Sequence, residues 1–151
     1  MKENKFRVYC EIEFEGKITK CMESSASWFL LTQTGKLWSY GVGQIPQPLE
    51  KEYKVAIPLF YTGFKDKDKV EIYEGDIIRG FQEQQGIIDF ADGTFWVRFI
   101  NKEMKALADF DKVPCIQTAL GTLMNGCDAK YVRVVGDRYM NPELLEDDKD
   151  E

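Results

Sequence analysis

A chain of 151 residues, 44% hydrophobic and 30% charged with a net charge of −6, is long enough to bury one ordinary core and falls where single domains are commonest. Its longest apolar runs, such as Trp28-Phe29-Leu30-Leu31, are far short of the roughly 20 residues of a membrane span, and charges occupy Met1 to Glu11 where an export signal would be apolar; the expectation is a cytoplasmic protein with no membrane partner. The chain has no histidine, which removes the commonest general base, the usual partner of a Ser or Cys nucleophile and the commonest ligand of catalytic zinc.

The elements begin with Lys5 to Phe14, where Phe6, Val8, Cys10, Ile12 and Phe14 alternate with polar residues, the period of a half-buried strand. Trp28 to Leu31, a turn at Thr34-Gly35-Lys36 and Leu37-Trp38 suit a second hairpin. Gly41 to Pro48 holds two Gly and two Pro in eight residues and reads as a linker. Lys54 to Thr62 is the next apolar stretch, followed by a charged turn at Lys65-Asp66-Lys67-Asp68-Lys69 and an Ile-rich stretch from Glu71 to Phe81 broken at Gly75. Gly86 to Phe90 and Thr94 to Ile100 flank Asp92-Gly93, a dipeptide that supplies the positive φ angles of a two-residue turn. That turn sets Phe90 opposite Phe95, Asp89 opposite Trp96, Ile88 opposite Val97 and Ile87 opposite Arg98, with Ile88, Phe90, Phe95, Val97 and Phe99 on the core face. Asn101 can cap a short helix carrying Met104, Leu107 and Ala108, and a less regular region runs to Gly126. Tyr131 to Tyr139 returns to strand character, and Asn141-Pro142 opens a last helical turn.

Short strands separated by tight turns indicate a mainly β protein, a small barrel or sandwich with one or two short helices. The expected organisation is an N-terminal β segment over 1–50, a β-barrel core over 51–142 and an acidic tail over 143–151. Six acidic residues against Lys149 place −5 of the net charge between Glu143 and Glu151, leaving −1 for the rest, so overall acidity says little about a nucleic-acid partner. The four cysteines, Cys10, Cys21, Cys115 and Cys127, are 11, 94 and 12 positions apart. No Cys-x-x-Cys pair grips a metal, and they read as small core residues.

Three stretches then carry a resemblance: Tyr61-Thr62-Gly63-Phe64-Lys65-Asp66-Lys67, Glu71-Ile72-Tyr73-Glu74-Gly75-Asp76-Ile77-Ile78, and Val134-Val135-Gly136-Asp137 leading to Asn141-Pro142-Glu143-Leu144-Leu145. Together, and with the opening Lys5-Phe6-Arg7, they resemble the YopX family of phage and prophage proteins. The resemblance implies a compact SH3-like β-barrel encoded by a phage or prophage, with no established activity to carry over. The chain departs from the family pattern at Asp68-Lys69-Val70, where an Asn-Gly-Lys turn is more usual, and around Asp109 to Asp128.

Candidate sites follow from residue chemistry. Glu71, Glu74 and Asp76 are the obvious carboxylate cluster for a hard cation such as magnesium, the basis of a metal-hydrolase alternative; the bland reading makes Glu-Gly-Asp a turn in which Asp76 accepts backbone N–H groups. Ser24, Ser25 and Ser27 lack a nucleophile elbow, and no phosphate loop is present, so neither an enzymatic role nor a cofactor is expected. The outer face of the hairpin would present Ile87, Asp89, Trp96 and Arg98, and an exposed Trp beside Arg is the composition of an interaction hot spot. For a nucleic-acid partner, Tyr73 and Trp96 would stack on bases while Lys65, Lys67, Lys69, Arg79 and Arg98 contact phosphates, although Asp66 and Asp68 nearly neutralise the lysine loop. The expectation is a non-catalytic binding or assembly module, homo-oligomeric, with a nucleic-acid accessory factor as the first alternative.

Overall fold

Period-2 alternation dominates this sequence, and the chain is mainly β, with a curled half-barrel sheet and few short helices. The structure is a computed structural model that describes residues 5–24, 29–40, 45–49, 51–100 and 117–145. The chain divides into two units, Met1–Tyr61 and Thr62–Glu151.

In the first unit, β1 (Phe6–Phe14) and β2 (Lys17–Ser24) form a hairpin. Glu15 and Gly16 connect them with φ angles of 51° and 78°, the left-handed pair whose twist matches the flanking strands. On its other side β1 pairs with β6 (Tyr53–Lys65), from Phe6 opposite Phe60 to Ile12 opposite Tyr53. The alternation of β1 holds in part, because Tyr9 on the opposite face is buried as well, at 4% exposure. Val8 and Cys10 are fully buried and, with Phe29, form a core that Phe6, Ile12, Cys21 and Tyr53 pack against. Phe14 lies beyond that core and is 70% exposed.

The second predicted hairpin is present as β3 (Phe29–Leu31) and β4 (Leu37–Tyr40), closed by Thr32 and Gly35; Trp28 lies outside the described residues. The Gly/Pro-rich stretch read as a linker differs. Residues 41–44 lie outside the described residues, but Pro46–Pro48 is a strand, β5, at the edge of the sheet β3-β4-β5. Proline has no N–H to donate to a ladder, so an edge position is where two of them can be accommodated.

In the second unit, Thr62 Oγ1 donates to Ile72 O at 2.7 Å, holding the end of β6 to β7 (Glu71–Tyr73). A five-stranded sheet follows, in the order β11 (Gln117–Ala119), β10 (Thr94–Ile100), β9 (Gln85–Ala91), β8 (Asp76–Arg79) and β12 (Arg133–Asp137). The β9–β10 register is the predicted one throughout, and Asp92 and Gly93 turn the chain at φ 52° and 76°. One sheet face buries Ile72, Ile78, Ile88, Val97, Leu120 and Val132, with Phe95 and Phe99 packed against them. Phe90, placed on this face by parity, sits near the hairpin tip, 47% exposed, with its ring 4.8 Å from that of Phe95. Neighbouring residues of β12 serve different faces by ordinary strand alternation, Val134 the first core and Val135 the other, and a register shift falls between Val134 and Gly136.

The opposite face carries a second, smaller core: Ile77, Ile87 and Ile100, with Val135, Leu144 and Leu145 against them. This corrects the expectation that Ile87 lies on an outer surface, since it is 3% exposed. The 3-10 turn Pro142–Leu145 covers it, and Gln85 Nε2 donates to Leu144 O at 2.7 Å to hold the cover in place. Close approach is possible because position 136 is Gly; a Cβ there would lie 2.7 Å from Asn141 Oδ1 and 2.9 Å from Leu144 Cδ1. The segment that reads as irregular up to Gly126 contains α1 (Leu120–Met124); a 3-10 turn, Cys127–Tyr131, follows it, so the strand expected from Tyr131 begins at Arg133. The helix expected after Asn101 lies outside the described residues.

Candidate interaction face

Each of the three sequence stretches that carry the resemblance contains a buried aspartate: Asp66, Asp76 and Asp137. All three accept backbone N–H groups. Asp66 Oδ1 accepts from Asp68 at 2.8 Å and Val70 at 2.9 Å, while its Oδ2 accepts from Val134 at 2.9 Å. Asp76 Oδ2 accepts from Tyr73 at 2.8 Å across Gly75, whose φ is 86°. Asp137 Oδ1 accepts from Tyr139 at 2.9 Å and Met140 at 2.8 Å. Backbone amides, three at Asp66, two at Asp137 and that of Tyr73 at Asp76, replace water that the carboxylates lose on burial, so these motifs lock turns. Among the described residues no group of three or more Cys, Asp or Glu side chains is placed to hold a metal ion, and Glu71, Glu74 and Asp76 form no such group.

The lysine loop is therefore more than a solvated turn. Lys65, Lys67 and Lys69 are exposed, but Asp66 between them is anchored, and Lys67 N donates to Val132 O at 3.0 Å. Arg79 is engaged elsewhere: its Nε donates to Gln85 Oε1 at 3.4 Å and its Nη1 lies 3.9 Å from Glu83 Oε2, which Arg133 also meets at 3.1 Å. Arg79 and Arg133 face each other across strands, so Glu83 offsets a like-charge pair. The Glu83 carboxylate stands on backbone with φ 59°, next to Gln82 at φ 57°. Tyr73 is buried, which removes it as a stacking platform.

What remains open on the second sheet face is the half that Leu144 and Leu145 leave uncovered. Asp89, Trp96 and Arg98 share it by register. Arg98 Nε lies 3.3 Å from Asp89 Oδ2, yet that buried N–H has no hydrogen-bond acceptor; the contact is an ion pair without a well-directed bond, worth less than a charge-assisted hydrogen bond. Arg138, from the turn after β12, reaches the other oxygen of Asp89 at 3.6 Å. Its guanidinium also lies 5.8 Å from the Tyr139 ring centre, and burial pushes the Tyr139 phenol up. Trp96 Nε1 donates to Ala91 O at 3.1 Å, which satisfies its polar edge; the side chain is half-buried, not the exposed Trp expected, and stands opposite Asp89 with Arg98 two residues along the same strand.

Sequence reasoning placed Asp89, Trp96 and Arg98 on one sheet face, as the register has them, but did not bring Arg138 and Tyr139 to them. Their placement depends on the turn that Asp137 holds and on Arg138 N donating to Gly75 O at 2.9 Å, contacts that no local pattern announces. It also missed that Cys10 and Cys21 stand directly opposite each other on β1 and β2. Reading Glu15-Gly16 as a two-residue turn would have found them, since each lies four residues outward from the pair Phe14 and Lys17 that flanks the turn.

Compared with known proteins, the chain matches the family model described as YopX protein over residues 5–146, nearly its whole length. No curated protein matches it.

Proposed function

The chain belongs to the YopX family, and on that premise we propose that it is a phage-derived, cytoplasmic, non-catalytic assembly module of SH3-like architecture whose partner is a second copy of itself. The observation that carries the reading is the open half of the hairpin face, where Asp89 stands between Arg98 and Arg138 beside Trp96. A patch bearing both signs of charge around an aromatic is self-complementary: Asp89 of one copy can face Arg138 of the other in an isologous contact, with Trp96 as the anchor. The lack of histidine and the commitment of Asp66, Asp76 and Asp137 to backbone amides support a non-catalytic role.

The test is light scattering over a concentration series for the wild type, Trp96→Ala and Arg138→Glu. Association that both substitutions weaken supports the reading, and a wild type that stays monomeric at every concentration overturns it. A nucleic-acid partner is the second reading, favoured by the convergence of two arginines with Trp96 and Tyr139 on one patch. It requires binding of labelled single-stranded DNA, duplex DNA or RNA that weakens steeply with salt, measured by fluorescence anisotropy.

A further inference from the structure

We propose that Cys10 and Cys21 form a thiol–disulfide exchange site in the first unit: a low-molecular-weight disulfide oxidises the pair to an intramolecular disulfide that clamps strand β2 to β1.

The register is the first observation. Cys10 and Cys21 are partners in an antiparallel ladder whose two-residue turn follows Phe14 and precedes Lys17. In such a hairpin the pair flanking the turn exchanges both backbone hydrogen bonds, and the pattern repeats at every second pair. Four residues out, Cys10 and Cys21 occupy the same kind of position, where Cα atoms stand about 5.5 Å apart. That Cα spacing lies inside the range a disulfide spans, about 4.4–6.8 Å, and forming the bond draws the Cβ atoms of a hydrogen-bonded pair in from about 5.5 Å to about 4 Å. Directly opposite residues also direct their side chains to the same sheet face, and both cysteines pack on one core with Val8 and Phe29.

The second observation is the asymmetry between them. Cys10 is buried and Cys21 half-buried, so Cys21 is the sulfur an incoming reagent reaches. The Cys21 thiolate attacks one sulfur of the disulfide RSSR; a Cys21–SR bond forms, the RS–SR bond breaks, and one RS⁻ leaves with the electron pair. Cys10 then gives its proton to solvent and its sulfur attacks Cys21 Sγ, expelling the second RS⁻. Two cysteine thiols are oxidised, and one small disulfide is reduced to two thiols. Burial pushes both protein thiols up, Cys10 to about 12, which keeps thiolate scarce at neutral pH and makes the exchange slow and accelerated by alkali.

The experiment uses the full chain carrying Cys115→Ser and Cys127→Ser, so that only the two proposed partners remain. It is incubated folded with oxidised glutathione at neutral and at mildly alkaline pH, quenched with acid, alkylated in denaturant and analysed by intact mass and peptide mapping. The same chain unfolded in guanidinium controls for reagent reactivity. The expected result is loss of two hydrogens with a Cys10–Cys21 linked peptide, formed faster at the higher pH and reversed by dithiothreitol. A glutathione adduct that persists on Cys21, or full alkylation of both cysteines while the unfolded control reacts, would overturn the proposal.

Discussion

Asp66 Oδ2 accepts the backbone N–H of Val134 at 2.9 Å, joining a loop to a strand 68 residues further along the chain. The other oxygen of the same carboxylate holds Asp68 and Val70, so one side chain both shapes its own turn and docks it on β12. Removing it leaves three amides to find new partners in a buried setting. Asp66→Ala is expected to cost roughly 3 kcal/mol, given about 1–3 kcal/mol for each buried group left unsatisfied and partial rescue by water. Urea unfolding checks this, and a loss below about 1 kcal/mol would show that the anchor is dispensable.

The second core makes its own claim on stability. Ile87→Ala is expected to destabilise by about 2–4 kcal/mol, the range for truncating a buried aliphatic side chain. A site on an open surface would lose well under about 1 kcal/mol, so the size of the effect separates the two placements.

Gly136 permits the cover over Ile87. Gly136→Ala places a methyl 2.7 Å from Asn141 Oδ1 and 2.9 Å from Leu144 Cδ1, and overpacking of this kind costs about 1–3 kcal/mol. The expected signature beyond stability is faster proteolysis after Asn141, because the turn Pro142–Leu145 is lifted from the sheet. Unchanged cleavage together with unchanged stability would count against this packing.

The cysteines predict a pH dependence. The Cys10 thiol is pushed from 9.0 to about 12, first by burial and then by its neighbours Cys21 and Glu23. Between those values the unfolded chain has released a proton that the folded chain retains, so rising pH favours unfolding. The contribution is complete below the unfolded value of 9.0 and is lost as pH climbs through about 12. Under reducing conditions the urea midpoint of the wild type should therefore fall more steeply above pH 9.0 than that of Cys10→Ala. Parallel slopes would contradict the shift.

Asp89 distinguishes the partner classes. Its pairs with Arg98 and Arg138 are partly exposed, so Asp89→Asn is expected to change stability by less than about 1 kcal/mol. If self-association uses Asp89, the substitution lowers the scattering mass. If the face meets nucleic acid, it raises affinity and steepens the salt dependence by freeing two arginines.

Local signals were sufficient for much of this fold. Alternation over Phe6 to Phe14 marks the side on which Val8 and Cys10 are buried, though not that Tyr9 on the other side is buried too, and Asp92-Gly93 predicts the whole β9–β10 register, because a two-residue turn leaves one way to pair the strands that enter and leave it. The Glu-Gly-Asp turn around Asp76 was legible for the same reason: carboxylate, glycine and amide lie within three residues of one another. Contacts between distant segments were not. Periodicity says that Ile87 and Arg98 share a face, but whether that face is wet depends on Leu144 and Leu145 arriving across it. Arg138 meets Asp89, and Asp66 meets Val134, only because loops too irregular to carry a period bring β8, β9 and β12 side by side. Sequence alone determined the strand character of β1, β6, β9 and β10 and the turn and register of the β9–β10 hairpin, through interactions a few residues in range, while β2 and β5 went unread. Tertiary structure decided which faces are covered and which charges converge, since burial is a property of what packs against a strand and not of the strand itself.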